Sequence, residues 1–283
     1  MHLIEPPGEG RRAFARTFLF FGRKLFAPIF GAACALAAVA AEAGVRLLEP
    51  GEDMAPIEAF KASRPGAPGS ERALKMPAAR VAATGGDAEV FARLIPHAAP
   101  FEIVAPSADP DLVFDPSGRL VRAGREIFAR DVAVAELPEV IDRFAFGAAL
   151  ARGELRPPLP LRVLGPAGPR RQGETVDVEA QDVAGRALVV FSVAGDGLVR
   201  TLYPLADDPP VLAASPFRLS FAARAPFGEE LVVAVSTPAP AGALEQGLRE
   251  LNGRRAAGQL AQLLAVAAPA DARIGAVAFF MEP

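Results

Sequence analysis

The chain has no tryptophan and one tyrosine, Tyr203. These are the rings that usually build sugar platforms and anchor protein hot spots, so neither is to be expected on the ordinary pattern. A single cysteine, Cys34, leaves no partner for an intrachain disulfide. Two histidines, His2 and His97, are too few for a His/Cys metal cluster, and a Ser-His-Asp triad would have to use His97 alone. No serine stands in a Gly-x-Ser-x-Gly context. The formal net charge is −3 and the arginines are scattered among acidic residues, so no basic stripe is available for a phosphate backbone.

The acidic sets are equally uninformative as metal sites. Asp109, Asp111 and Asp115, and separately Asp196, Asp207 and Asp208, miss the tight register that a calcium loop needs, and they read as solvated turn carboxylates. Gly-Asp-Gly at 195–197 lies between two apolar runs rather than at a strand-to-helix junction, which fits a hairpin and not a phosphate cradle. His97, between Pro96 and Ala98, reads as a turn histidine. The expectation is therefore no catalytic residue, no cofactor and no metal.

What is present is an export-type N-terminus. Arg11, Arg12, Arg16, Arg23 and Lys24 precede residues 25–41, which carry no charge, and Glu42 closes the apolar run. A basic flank stays on the cytoplasmic side, so the remainder is expected on the periplasmic or secreted side. Ala38, Val39 and Ala40 give the small-x-small pattern of signal cleavage, while Phe18 and Phe21 and the long leader suit an uncleaved anchor; both remain open. Arg11 and Arg12 look like a twin-arginine signal, but Arg23 and Lys24 intervene before the apolar run. Gly31, Ala32 and Ala33 before Cys34 lack the large aliphatic residue of a lipoprotein signal, and Cys34 reads as a small hydrophobe.

With 28 prolines and 26 glycines the rest of the chain is cut into short elements. Residues 42–86 read as a Pro-, Gly- and Ala-rich disordered linker. A small α/β region is expected at 87–153, with a short helix at 89–95, strands at 101–105 and 111–114, and a type I turn over Asp115 to Gly118. Leu137, Val140, Ile141, Phe144 and Ala148 recur at helical spacing and predict a helix over 137–151. From 154 to 283 a β-rich domain is expected. Its strands are 161–164, 174–180, a hairpin of 187–193 and 198–203 closed by Gly195 and Gly197 at positive φ, and a second pair of 217–221 and 231–236. In 174–180, Val176, Val178 and Ala180 should face inward and Thr175, Asp177 and Glu179 outward. Helices at 244–252 and 256–267 and a strand at 274–281 complete it. The fold class is thus α+β, an antiparallel β-sandwich-like C-terminal domain with two closing helices, preceded by the α/β region and the membrane segment.

Four side chains stand out as interaction candidates. Phe227, in the Ala-Pro-Phe-Gly turn at 225–228, should pack over a sheet end or face a partner; Tyr203 ends the hairpin; Arg254 and Arg255 open the last helix. Arg170 and Arg171, in a loop, and the Arg254–Arg255 pair read equally as contacts for acidic partners and as solvated faces.

Several segments together resemble a known arrangement. Ala-Asp-Pro-Asp-Leu-Val-Phe-Asp at 108–115, Leu-Pro-Glu-Val-Ile-Asp-Arg at 137–143, the hairpin of 190–204, Ala-Pro-Phe-Gly at 225–228 and Asp-Ala-Arg-Ile-Gly at 271–275 follow the order seen in an uncharacterised β-rich domain. That domain lies C-terminal to bacterial caspase-like peptidase and kinase domains. The peptidase's histidine–cysteine dyad is not carried over, because Cys34 lies in the apolar run and His97 in the appended region. The resemblance implies the non-catalytic accessory part without the peptidase; with the export-type N-terminus and the linker ahead of it, the expectation is a non-enzymatic, extracytoplasmic module that binds a protein or a cell-envelope component. The alternatives are an orphan hydrolase using His97, or an accessory subunit of a separately encoded caspase-like peptidase.

Overall fold

In this computed structural model the described residues are 75–86, 91, 94–153 and 157–283. The basic leader, the apolar segment 25–41, the first part of the expected linker and most of the short helix expected at 89–95 lie outside them. No helix among the described residues is long and apolar enough to cross a membrane.

Among the described residues thirteen strands and three α-helices make a mixed α/β fold that is mostly sheet. The strands are β1 (Ala79–Ala83), β2 (Phe101–Ile103), β3 (Leu112–Asp115), β4 (Leu120–Ala123), β5 (Glu126–Ala129), β6 (Leu161–Val163) and β7 (Arg170–Arg171). They continue as β8 (Thr175–Ala180), β9 (Ala187–Ala194), β10 (Val199–Tyr203), β11 (Phe217–Ala222), β12 (Gly228–Thr237) and β13 (Arg273–Glu282). The helices are α1 (Leu137–Ala151), α2 (Gly242–Leu251) and α3 (Ala257–Ala267).

The architecture follows from the two most apolar strands. Alternate side chains of a strand face opposite sides, so a strand apolar throughout must be covered on both. Val189, Phe191 and Val193 of β9 join Leu231, Val233 and Val235 of β12 in one core, which the three helices close. Leu188 and Val190 join Val232 and Ala234 in a second core, with Val176, Val178 and Ala180 of β8. That second core is covered by a three-stranded sheet in the order β11-β8-β6. The larger sheet runs β10-β9-β12-β5-β4-β3-β1-β2, with β13 on β12 and β7 on β13.

Four expectations are corrected. The linker was expected to run to residue 86, yet β1 is a buried strand parallel to both β2 and β3. Its sequence is alanine-rich and has little intrinsic strand preference; pairing on both edges and burial set its conformation. The strands at 217–221 and 231–236 do not pair with each other: β11 pairs β8, whereas β12 lies between β9 and β13. The alternating burial of β11 suits a one-sided sheet, and β12, apolar on both faces, belongs in the middle of the large one. The β9–β10 hairpin forms, but only Gly197 takes positive φ, at 88°. Gly195 serves a different need, since a methyl group there would overlap the Phe128 carbonyl oxygen. Finally Glu179, expected outward, is 1% exposed. Both neighbouring strands cover it, Arg162 of β6 at 2.6 Å and Arg218 of β11 at 2.9 Å.

The helix over 137–151 forms with those bounds. Its Arg143 is 1% exposed, yet satisfied: Nε donates to the Val193 carbonyl at 2.9 Å and Nη2 to Glu229 Oε1 at 3.0 Å. Gly147, one turn on, leaves the room this guanidinium needs, since a Cβ there would meet Arg143 Nη1 at 2.9 Å.

Candidate functional site

A cleft of about 650 Å³ is lined by the β4–β5 hairpin, the 163–170 segment and the end of β13. Four arginines line it, Arg122, Arg125, Arg130 and Arg170, against two glutamates, Glu126 and Glu282. Local pairing explains how they converge. A two-residue turn with Gly124 at φ 60° joins β4 to β5, putting Arg122, Arg125 and Arg130 on one short hairpin and its exit. Arg170 arrives from the other side, because β7 pairs parallel with β13 in the register Met281↔Arg170. The loop before it, Gly-Pro-Ala-Gly-Pro at 165–169, bends through φ 95° at Gly165 and 122° at Gly168. It folds around Arg170, whose Nη2 donates to the Leu164 carbonyl at 3.0 Å.

These guanidinium groups are not consumed by the fold. Among the described residues none of the four forms an ion pair with a carboxylate. The Nε–H of Arg130 and of Arg170 are buried without any acceptor, and Arg170 as a whole is only 9% exposed. A buried donor on a charged group left unpaired costs about 1–3 kcal/mol or more, so such donors are uncommon without a purpose. Arg143, the other buried arginine among the described residues, is by contrast paired with Val193 and Glu229. The arrangement is a concave site in which four guanidinium groups suited to an oxyanion outnumber the two carboxylates of Glu126 and Glu282, with Ile127, Val163 and Phe279 supplying apolar wall.

A second cluster joins His97 to α1. Glu139 and Asp142, three residues apart on one helix face, lie beside it, and one ligand-type atom from each of the three falls within 4.8 Å of the others. His97 Nδ1 is 3.2 Å from Glu139 Oε1. The carboxylate of Asp142 is already engaged, accepting from Ala99 N–H at 2.7 Å and from Ala98 N–H at 3.2 Å. Burial pushes both carboxyl groups up from their ordinary values. The cluster therefore pins the 97–99 turn to α1. Spacing alone did not show it, since Glu139 and Asp142 lie more than forty residues from their turn partners in the chain.

The sequence candidates are mostly structural. Tyr203 is 4% exposed; its ring lies 4.7 Å from that of Phe217 and its hydroxyl donates to the Pro209 carbonyl at 3.1 Å. Phe227 is half-buried and packs against the second core. Arg255 is spent on Asp196 at 2.9 Å and Glu136 at 3.5 Å, which makes Asp196 an anchor as well as a turn residue. Arg254 is exposed. Of the arginines noted for acidic partners, Arg170 lines the cleft; Arg122, Arg125 and Arg130 were not singled out, because their convergence with Arg170 requires the β7–β13 pairing.

No protein-family model matches the chain, and no curated protein matches it.

Proposed function

We propose that this chain is a non-enzymatic binding module carried to the far side of a membrane, where the arginine-lined cleft takes an anionic group of a protein or cell-envelope component. The observation that carries this reading is the pair of buried, acceptor-free Nε–H groups of Arg130 and Arg170 in a site of four arginines. An oxyanion in the cleft would offset the positive charge of the four guanidinium groups, and a preformed cleft loses little freedom on binding. The basic leader and uncharged 25–41 segment supply the route across the membrane. The region from 154 onward, with α2 and α3 closing one face, is read as the sandwich-like accessory domain that the caspase-associated resemblance suggests.

Two readouts on the full chain test this. Titration with tripolyphosphate should give saturable binding that weakens as salt screens the cleft. Fractionation with sequencing of the mature N-terminus should place the folded region outside the cytoplasm. No saturable binding, or recovery from the cytoplasm alone, overturns the reading.

A further inference from the structure

The cleft ends on a strand that the fold leaves half open. β13 pairs with β12 along one edge without a break in register. On its other edge two short segments of the chain lie parallel to it, with a gap between them. At one end Ile274 accepts from Leu159 N–H at 3.0 Å and donates to the Pro157 carbonyl at 3.1 Å. At the other, β7 pairs through Met281 and Glu282, and the Glu282 carbonyl accepts from Gln172 N–H at 2.9 Å. Between these contacts the chain leaves to form β6 in the smaller sheet and returns as β7.

The period of a strand then fixes what the gap presents. Ile274 and Glu282 both direct their N–H and C=O away from β12, so Ala276, Ala278 and Phe280, in the same phase, do likewise. Among the described residues the outward backbone groups of Ala276 and Ala278 have no partner, whereas the Phe280 carbonyl takes the Arg170 N–H in the Met281↔Arg170 register. Ala276 and Ala278 are exposed, and neither brings the charge or proline that usually guards an edge. The arginine cleft lies at the β7 end of this gap and includes Ala278 and Phe280. An apolar groove of about 500 Å³ under α1, lined among others by Leu150, Leu231 and Ala276, flanks the other end.

We infer that an extended acidic peptide segment docks as an added strand on β13 between Ile274 and Met281, with its carboxylates in the arginine cleft. This deepens the binding reading above and rests on it. The edge supplies main-chain hydrogen bonds and the cleft supplies charge complementarity, which together define strand addition with side-chain selection. A neutral peptide would satisfy the edge alone, and a simple anion the cleft alone.

The test uses the full chain and a short acetylated peptide alternating valine with glutamate, beside two analogues N-methylated at alternate residues in complementary registers. Expected are saturable binding of the parent peptide, a loss of about tenfold or more for one analogue relative to the other, and slowed amide exchange at Ala276, Ala278 and Phe280. Equal binding of the two analogues overturns strand addition. So does failure of the parent peptide to bind, including the case where sedimentation shows a second copy of the chain already on this edge. Tripolyphosphate separates the two claims: if it binds while the peptide result is negative, the anion cleft stands and the docking strand falls.

Discussion

Glu179 occupies the middle strand of the small sheet, with an arginine from each neighbouring strand opposite it in register. Hydrogen bonds from Gln181, Arg218 and Arg162 hold its carboxyl down, to about 2. Because the folded value lies below the ordinary 4.5, the stabilisation is whole above that value and disappears as pH falls through about 2. Glu179→Gln should therefore lower the urea midpoint at neutral pH, with the two proteins converging near pH 2; a constant offset across the range would contradict this. The alternation of Val176, Val178 and Ala180 was legible in the sequence because strand period is local. The burial of Glu179 was not, since the side chains that cover it come from positions 17 and 39 residues away.

The same division holds for whole elements. α1 was legible to its bounds, as its apolar spacing and Pro138 in the first turn are local signals. α3, β9, β12 and β13 were likewise recognisable from runs of apolar residues, and α2 from leucines at helical spacing, Leu244, Leu248 and Leu251. β1, β5 and β7 were missed, the last lying in an expected loop: the first is alanine-rich, the others four and two residues long, and all gain their conformation from neighbouring strands. β5 nevertheless ties the sheet together, for it meets β12 at the single register pair Gly228↔Ala129. Both Gly195 and Gly228 lie against the Phe128 backbone, where no side chain fits. Gly195→Ala is expected to cost more than about 4 kcal/mol or to prevent folding. Gly124→Ala, at a φ of 60° but with open space around it, should cost only about 1–2 kcal/mol. Urea unfolding of the two variants decides this; comparable losses would mean that the Phe128 backbone yields to the added methyl group and that close approach does not set the requirement at Gly195.

At the scale of the whole molecule, helices, a large mixed sheet and a small sheet enclose two cores, and the cleft forms where the β4–β5 hairpin, the 163–170 segment and the end of β13 meet. Each arginine looks ordinary in the sequence, embedded in a chain of net charge −3. The charge becomes a site only after segments around 125, 170 and 280 are brought together, which no local pattern encodes. A guanidinium retained for packing and one retained for a ligand leave opposite marks: replacing the first loses stability, while replacing the second removes an unsatisfied buried donor at the expense of binding. Arg130→Met separates them, with melting temperature and tripolyphosphate affinity measured on the same full-length protein. The account predicts a melting temperature unchanged or raised by about 2–4 °C and binding weakened about tenfold or more. A melting temperature lowered by several degrees with binding intact would contradict it.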